Sequence, residues 1–227
     1  MCRPASLRSR LAMLRRAFSL GVLLALSLAL PAWAQDAPSL EALQARYDRL
    51  ASLRASFTQV TASEFADDSV RVRGRVLLAG NQYRVETPSQ IVVTNDTTTW
   101  IYAPADSQVV VNDADAQAST LTPQAFLTAS AQKYTVTAVR SVRRRGAGHH
   151  VLALTATGTA ARFQKASLWV RMSDQIVTRL RAADRNGSTL DLRLNDIAVN
   201  PSLGNAPFTF SVPSGAEVVD LRRTASQ

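Results

Sequence analysis

Hydrophobic and polar residues alternate most clearly between Val70 and Val111. Short alternating or apolar runs follow one another in this segment, and turn residues such as Gly, Asn, Asp and Pro separate them. Period-two runs bounded in this way are typical of half-buried antiparallel strands. The strands predicted here are 70–78, 82–86, 91–93, 100–102 and 109–111. They should form a meander with one apolar face, which another part of the chain must cover.

The same pattern precedes and follows this meander. A strand is predicted at 54–60, and Asn186-Gly187 between two alternating runs is a strong β-hairpin signal. The later predicted strands are 133–142, 150–155, 166–172, 175–183 and 190–199, with two closing strand segments at 208–213 and 218–220. The pattern as a whole predicts one mainly β domain with about eleven strands.

A helix is predicted before the first strand, at residues 36–53. Apolar residues recur there at spacings of three and four, which gives a helix one apolar stripe. The stripe consists of Leu40, Leu43, Tyr47, Leu50 and Leu53. Ser39 or Asp36 is suited to the N-cap, and Pro38 to the first turn. We expect this helix to pack its stripe on the core.

A second, shorter helix is predicted at residues 122–129. Thr122 is suited to its N-cap and Pro123 to its first position, and its apolar side chains are Phe126 and Leu127. Because this helix interrupts a run of strands where a tight turn would suffice, we expect it to cover part of the sheet.

Residues 1–34 are predicted to be a cleaved signal peptide. Five arginines precede a short apolar run, and Ala32-Trp33-Ala34 fits the small-residue cleavage rule. The alternative, an anchor helix, needs a longer apolar run. The chain has a net charge of +9; these five arginines contribute +5, which leaves +4 on residues 35–227. The remaining charge does not indicate a nucleic-acid partner, and the only cysteine, Cys2, lies in the predicted signal peptide. Residues 35–227 are therefore expected to form a single domain without disulfides.

Catalytic chemistry has little support in the sequence. No nucleophile-elbow, zinc-protease or phosphate-loop motif is present. The two histidines, His149 and His150, are adjacent, so on a strand they would point to opposite faces. We expect them to lie in a solvated hairpin turn. The sequence therefore predicts neither an enzyme nor a bound cofactor or metal.

Several short motifs occur in an order that resembles a known family. The segments are Ala55-Ser56-Phe57-Thr58-Gln59, Tyr83-Arg84-Val85-Glu86, Trp100-Ile101-Tyr102-Ala103-Pro104, Leu121-Thr122-Pro123 and a pattern with Phe208, Phe210, Pro213, Gly215, Val218 and Asp220. Together they are similar to the periplasmic outer-membrane lipoprotein carrier family, LolA, over essentially all of residues 35–227. The resemblance implies an unclosed antiparallel β-barrel whose concave apolar face is covered by a helical lid.

The resemblance also implies a lipid-binding face. Tyr47, Tyr83 and Leu127 match positions where the family's lid meets its sheet, and alternation adds strand residues that point inward. The complete predicted set is Tyr47, Leu50, Val76, Leu78, Tyr83, Val85, Trp100, Phe126, Leu127, Leu168 and Val170. Trp100 and Tyr102 share one face, but alternation alone does not tell which. Ordinary core packing is the alternative interpretation for all of these residues.

One position departs from the family pattern. Proteobacterial members have an arginine just before the turn of the second hairpin, where it latches the lid through hydrogen bonds. Ala79 occupies that place here, followed by Gly80-Asn81. Arg84 lies nearby, but it alternates with Gln82 and Glu86 and is predicted to point outward.

The function implied by the resemblance is that of a monomeric periplasmic carrier. It would take acylated lipoproteins from an inner-membrane ABC-type lipoprotein-releasing transporter, hold their acyl chains in an apolar half-barrel cavity and deliver them to the outer membrane, with or without a specific acceptor there. The alternative is a regulatory binding domain of the same fold that senses lipid or lipoprotein. No nucleic-acid partner is expected.

Overall fold

The computed structural model describes residues 37–63, 68–114, 123–130 and 132–222. The predicted signal peptide and the Leu121-Thr122 part of the fourth motif lie outside these ranges.

Within the described ranges the chain forms two α-helices and twelve strands. The helices are α1 (Leu40–Asp48) and α2 (Pro123–Ser130), and a 3-10 turn covers Ala206–Phe208. The first six strands are β1 (Leu53–Ala62), β2 (Ser69–Ala79), β3 (Gln82–Glu86), β4 (Ile91–Thr94), β5 (Thr98–Ala103) and β6 (Gln108–Asp113). The other six are β7 (Tyr134–Arg144), β8 (Ala147–Ala156), β9 (Lys165–Arg171), β10 (Val177–Ala183), β11 (Thr189–Val199) and β12 (Glu217–Asp220).

All twelve strands belong to one sheet, in the order β12-β6-β5-β4-β3-β2-β1-β11-β10-β9-β8-β7. The two outer strands, β12 and β7, do not pair with each other, so the sheet is an unclosed barrel, as predicted. Neighbouring strands are antiparallel except for β12, which pairs with β6 in parallel. The last strand therefore returns to the edge of the meander, which the pattern of apolar residues did not indicate.

The predicted first helix is longer than the observed one. Ser39 is the N-cap, and its hydroxyl accepts a hydrogen bond from the Ala42 amide at 3.1 Å. The helix ends at Asp48 because the chain then turns toward the segment after β11, where the Ala51 amide donates to the Asn200 side chain at 3.0 Å. The predicted strand 208–213 is also wrong, since this segment is a 3-10 turn followed by irregular chain.

One face of the sheet, the concave face, holds the main hydrophobic core. It receives alternate residues of strands β1 to β4 and β8 to β11, together with the apolar side chains of both helices. The opposite, convex face is polar over most of its area and carries many arginines. At Gly74 of β2 the ring of Phe57 lies directly against the backbone. A side chain at this position would overlap both the ring and the Glu86 carbonyl oxygen, so the packing of Phe57 requires glycine.

Candidate functional site

The strand part of the predicted lipid-binding face lies together on the concave face. Val76 and Leu78 of β2, Val85 of β3, and Leu168 and Val170 of β9 are each at most 4% exposed and belong to one cluster. Their spacing of two residues along each strand puts them on the same side of the sheet. Alternation therefore placed these five side chains correctly.

The α1 helix packs into this face with the predicted stripe. Leu40, Leu43 and Tyr47 are buried, and Leu50 is buried just after the helix ends. The Tyr47 hydroxyl accepts a hydrogen bond from the Val177 amide at 3.1 Å, at the start of β10. Burial raises the pKa of Tyr47 well above its ordinary value, although the bond from the Val177 amide opposes this shift. The α1 helix is thus held to the sheet by both apolar contact and a buried hydrogen bond.

The α2 helix contributes a smaller apolar contact. Phe126 is 4% exposed and Leu127 is 1% exposed. The Phe126 ring lies 5.5 Å from that of Tyr134 on β7, and α2 also contacts α1. Ser130 ends the helix, and its hydroxyl donates to the Phe126 carbonyl oxygen. These contacts place both predicted α2 residues against the core.

Tyr83 brings a polar group to the same face. Its side chain is half-buried beside the cluster, at the end of β3 that pairs with Leu78 of β2. Its hydroxyl oxygen is inaccessible to solvent and makes no hydrogen bond of acceptable geometry to the described residues. The neighbouring hydroxyls of Thr94 and Thr99 bond to each other at 2.8 Å. Burial raises the pKa of Tyr83, so the phenol stays protonated near neutral pH and remains able to donate.

Trp100 does not belong to this site. It pairs with Val93 across the sheet, whereas Ile101, the next residue, packs against the concave cluster. Trp100 and Tyr102 therefore point to the convex face, where both rings lie about 6 Å from the ring of Phe210. The prediction for Trp100 is corrected because the C-terminal segment covers the convex side of β3 to β6 with a second, smaller apolar cluster.

The same segment explains the position of Arg84. As predicted, Arg84 points away from the concave face. On the convex side its Nε donates to Glu86 at 2.6 Å, and a terminal nitrogen donates to the Pro207 carbonyl oxygen at 3.3 Å. Ala79, at the position of the family's latch arginine, is the last residue of β2 and is half-buried opposite Gln82.

The two histidines are not in a solvated turn. Both lie within β8, with His149 5% exposed and His150 6% exposed. They do point to opposite faces: His150 pairs with Val170 and shares the face of Leu152 and Leu154. The turn falls earlier, at Arg145-Gly146, because both of these residues adopt a positive φ.

Several concave-face residues were not predicted as site residues. Examples are Phe57, Val92, Leu152, Leu154, Phe163, Leu180, Leu192 and Leu194. Most lie on alternating strands, so extending the period-two rule to β1, β8, β10 and β11 would have found them. Phe163 is different because it lies in a loop, where its amide donates to the Tyr134 hydroxyl at 3.1 Å and no periodicity marks it.

The helices occupy the concave face in this structure. Two cavities among the described residues, of about 210 and 480 Å³, open on the convex face. In the described ranges no group of His, Cys, Asp or Glu side chains is arranged to hold a metal. Nor does this part of the chain contain a helix long and apolar enough to cross a membrane. The site is thus an apolar concave surface covered by α1 and α2.

The fold and the site define a single-sheet half-barrel with helices packed inside its concavity. Comparison with known families agrees: residues 48–211 match the model for LolA, described as outer membrane lipoprotein carrier protein. The chain belongs to this family. It is 29% identical over 210 residues to an outer-membrane lipoprotein carrier protein of Chromohalobacter salexigens, covering 90% of this chain and 98% of that one. A second such protein, from Azotobacter vinelandii, is 27% identical over 209 residues, with coverage of 90% and 99%.

Among solved structures, an uncharacterised conserved protein of Thermus thermophilus is similar in fold. The TM-score is 0.56 at 18% sequence identity, and the match covers 82% of this chain and all of that one. This likeness supports the half-barrel architecture alone.

Proposed function

We propose that the protein is a periplasmic carrier that binds the acyl chains of lipoproteins on its concave face, after displacement of α2, and shuttles them from the inner to the outer membrane. Membership of the family supports the carrier role. One observation supports the mechanism. The short helix α2 covers part of a large apolar surface and buries its two large side chains, Phe126 and Leu127, in that surface.

The energies make exchange of α2 for an acyl chain feasible. Fully burying a Phe or Leu side chain is worth about 1.5–3 kcal/mol, so undocking Phe126 and Leu127 costs about 3–6 kcal/mol. Each buried methylene of a ligand is worth about 0.8 kcal/mol, so a chain that buries ten of them gains about 8 kcal/mol. Cargo binding can therefore offset the free energy of undocking α2. When α2 docks again, the free energy of its docking favours release of the cargo.

The α1 helix is expected to move less than α2. Four large apolar residues of the α1 segment are buried, against two in α2. In addition, the Arg46 Nε donates to the Asp174 carbonyl oxygen at 3.0 Å, and Tyr47 accepts the Val177 amide. Undocking α1 would expose more apolar area and leave a buried amide without a partner. We therefore assign the movable lid to α2.

The partners follow from the same proposal. An inner-membrane ABC-type lipoprotein-releasing transporter would load the carrier, an outer-membrane acceptor or the membrane itself would receive the cargo, and the carrier would act as a monomer. A diacyl or triacyl lipoprotein cannot cross water unaided at a useful rate, because removing its chains from a bilayer exposes many methylenes. The carrier must match that apolar burial and yet release its cargo.

The test is competition for the concave face. The purified protein should bind a fluorescent fatty-acid probe, and an acylated lipoprotein should displace it while the same polypeptide without acyl chains should not. Leu127→Glu should tighten both interactions, because a charge on the buried side of α2 opposes lid closure and so lowers the free energy that cargo must supply to displace the helix. Val212→Glu, at a position 46% exposed, is the matched control and should bind as the wild type does. Equal competition by acylated and non-acylated polypeptide would refute the carrier mechanism.

A further inference from the structure

The cavity of about 210 Å³ lies on the convex face, where strands β10 and β11 separate. Their pairing runs from Ala183 with Thr189 to Arg179 with Arg193 and then stops. Beyond Arg193 the chain of β11 bends at Asp196, which has a φ of 49°. The cavity forms in the resulting gap.

Arginines from three strands and a turn line this cavity. Arg144 comes from the end of β7, Arg145 from the following turn, Arg171 from the end of β9 and Arg193 from β11. Asp196 is the carboxylate in the lining, but it is exposed and accepts a hydrogen bond from the Ser56 hydroxyl at 2.7 Å. The cavity therefore has a clear excess of positive charge.

Internal pairing neutralises only part of this charge. Arg171 makes two hydrogen bonds to Asp174, at 2.9 and 2.6 Å. Arg193 bonds to Asp191, but Asp191 is shared with Arg179, which also bonds to both of its oxygens. One carboxylate thus serves two guanidinium groups at hydrogen-bond distance.

Arg144 and Arg145 have no carboxylate partner in the described part of the chain. Arg145 donates to the Asn195 side-chain oxygen at 3.2 Å, and Arg144 makes no hydrogen bond or ion pair to the described residues. Partial burial lowers the pKa of Arg144, and the charges of Arg179, Arg193 and Arg145 lower it further, while the charge of Asp191 opposes part of this shift. A half-buried guanidinium surrounded by like charges, with all of its donors available, is the arrangement that an oxyanion relieves.

We propose that this cavity is a binding site for a phosphate group, supplied either by a soluble phosphate monoester or by the headgroup of an anionic phospholipid. Arginine guanidinium groups approaching from β7, the turn and β11 match the several oxygens of a phosphate, whereas a neutral ligand would leave their charges uncompensated. Imidazole is not the source of charge: burial lowers the pKa of His149, whose Nδ1 lies 3.1 Å from the Ala147 carbonyl oxygen and donates to it. The site is on the face opposite the proposed acyl surface and does not depend on the carrier proposal.

The first arm of the test uses glycerol 3-phosphate and isothermal titration calorimetry at constant ionic strength. The wild-type protein should bind one equivalent, and Arg144→Gln should lower the affinity at least tenfold. Arg140→Gln is the matched control: it removes the same charge from the same strand, at an exposed position opposite Val151 that does not line the cavity. It should change the affinity less than twofold. Arg144→Gln should keep the wild-type melting temperature, since Arg144 makes no hydrogen bond that would be lost. Arg145→Gln, which changes the neighbouring arginine of the lining, is the second variant and tests the site in the same way.

The second arm measures sedimentation with vesicles of phosphatidylglycerol, with phosphatidylcholine vesicles as the neutral control. Binding to phosphatidylglycerol that Arg144→Gln abolishes, without binding of glycerol 3-phosphate, would identify the source as a lipid headgroup. Binding of glycerol 3-phosphate would show that the phosphate group suffices. The proposal is overturned if neither probe binds in an Arg144-dependent manner. It is equally overturned if Arg140→Gln lowers binding as much as Arg144→Gln does, since the effect would then be general attraction to a basic surface.

Discussion

If α2 is a movable lid, Leu127→Ala should make the helix open more readily. Leu127 is 1% exposed and is one of the two large side chains that dock α2. Removing it should lower the free energy of local opening of α2 by about 2–3 kcal/mol, the transfer value of a buried leucine. Global stability should also fall, but by no more than the docking energy of α2, about 3–6 kcal/mol, because the helix can simply stay open.

Native-state hydrogen exchange measures this opening directly. Amide protection in 123–130 should fall by about 30- to 150-fold in Leu127→Ala, while the strands keep protection in line with the global free energy of unfolding. Val93→Ala is the matched control, because Val93 is fully buried but belongs to the apolar cluster on the convex face. It should destabilise the whole domain by about 1–3 kcal/mol and leave the local opening of α2 unchanged.

Other patterns of hydrogen exchange would contradict the lid mechanism. If α2 in the wild type exchanges only through global unfolding, or if Leu127→Ala lowers the global free energy of unfolding by more than the docking energy of α2, then α2 is an integral part of the core. The lid mechanism would then be wrong, even if the protein binds acyl chains.

Three further changes test the packing around the site. Gly74→Ala should destabilise the fold by at least about 1–3 kcal/mol in urea unfolding, because its Cβ would overlap the Glu86 carbonyl oxygen; a neutral effect would show that the strand can shift. Tyr47→Phe should lower stability by about 1–3 kcal/mol because it leaves the Val177 amide unpaired in the core, and wild-type stability would indicate that water replaces the hydroxyl. Burial alone would raise the pKa of Asp191, but its arginine hydrogen bonds outweigh this effect and hold the pKa well below its ordinary value. Its contribution is therefore present above pH 4 and is lost as the pH falls further, so Asp191→Asn should be less stable at pH 7 and should show a shallower decline in acid; an unchanged acid profile would contradict this.

Much of the fold could be predicted from local pattern. Alternation at Val76, Leu78 and Val85 identified both the strands and their inward face, because one side of β2 and β3 meets the core and the other meets solvent or polar groups. The three- and four-residue spacing of Leu40, Leu43 and Tyr47 identified the buried side of α1, because the helix has a single apolar stripe. Local periodicity is informative wherever an element has one buried face.

Periodicity failed where both faces of a strand are covered. On β4, Val92 faces the concave cluster and Val93 the convex one, and both are at most 2% exposed. The face of Trp100 on the neighbouring strand was therefore undecidable, because the segment that covers it lies more than one hundred residues later and contributes Phe210. A contact of this kind depends on the path of the chain and has no local signature.

The sequence by itself determined the sheet, the two helices, the inward residues of one-sided strands and, through its ordered motifs, the family. Tertiary structure alone decided which face Trp100 lies on, that His149 and His150 are buried, and that the last strand pairs in parallel with β6. It also brought together the arginines of β7, β9 and β11, which lie far apart in the chain and meet only where β10 and β11 separate. Alternation reports which residues share a face of a strand; which distant segments cover that face depends on how the whole sheet curls and returns.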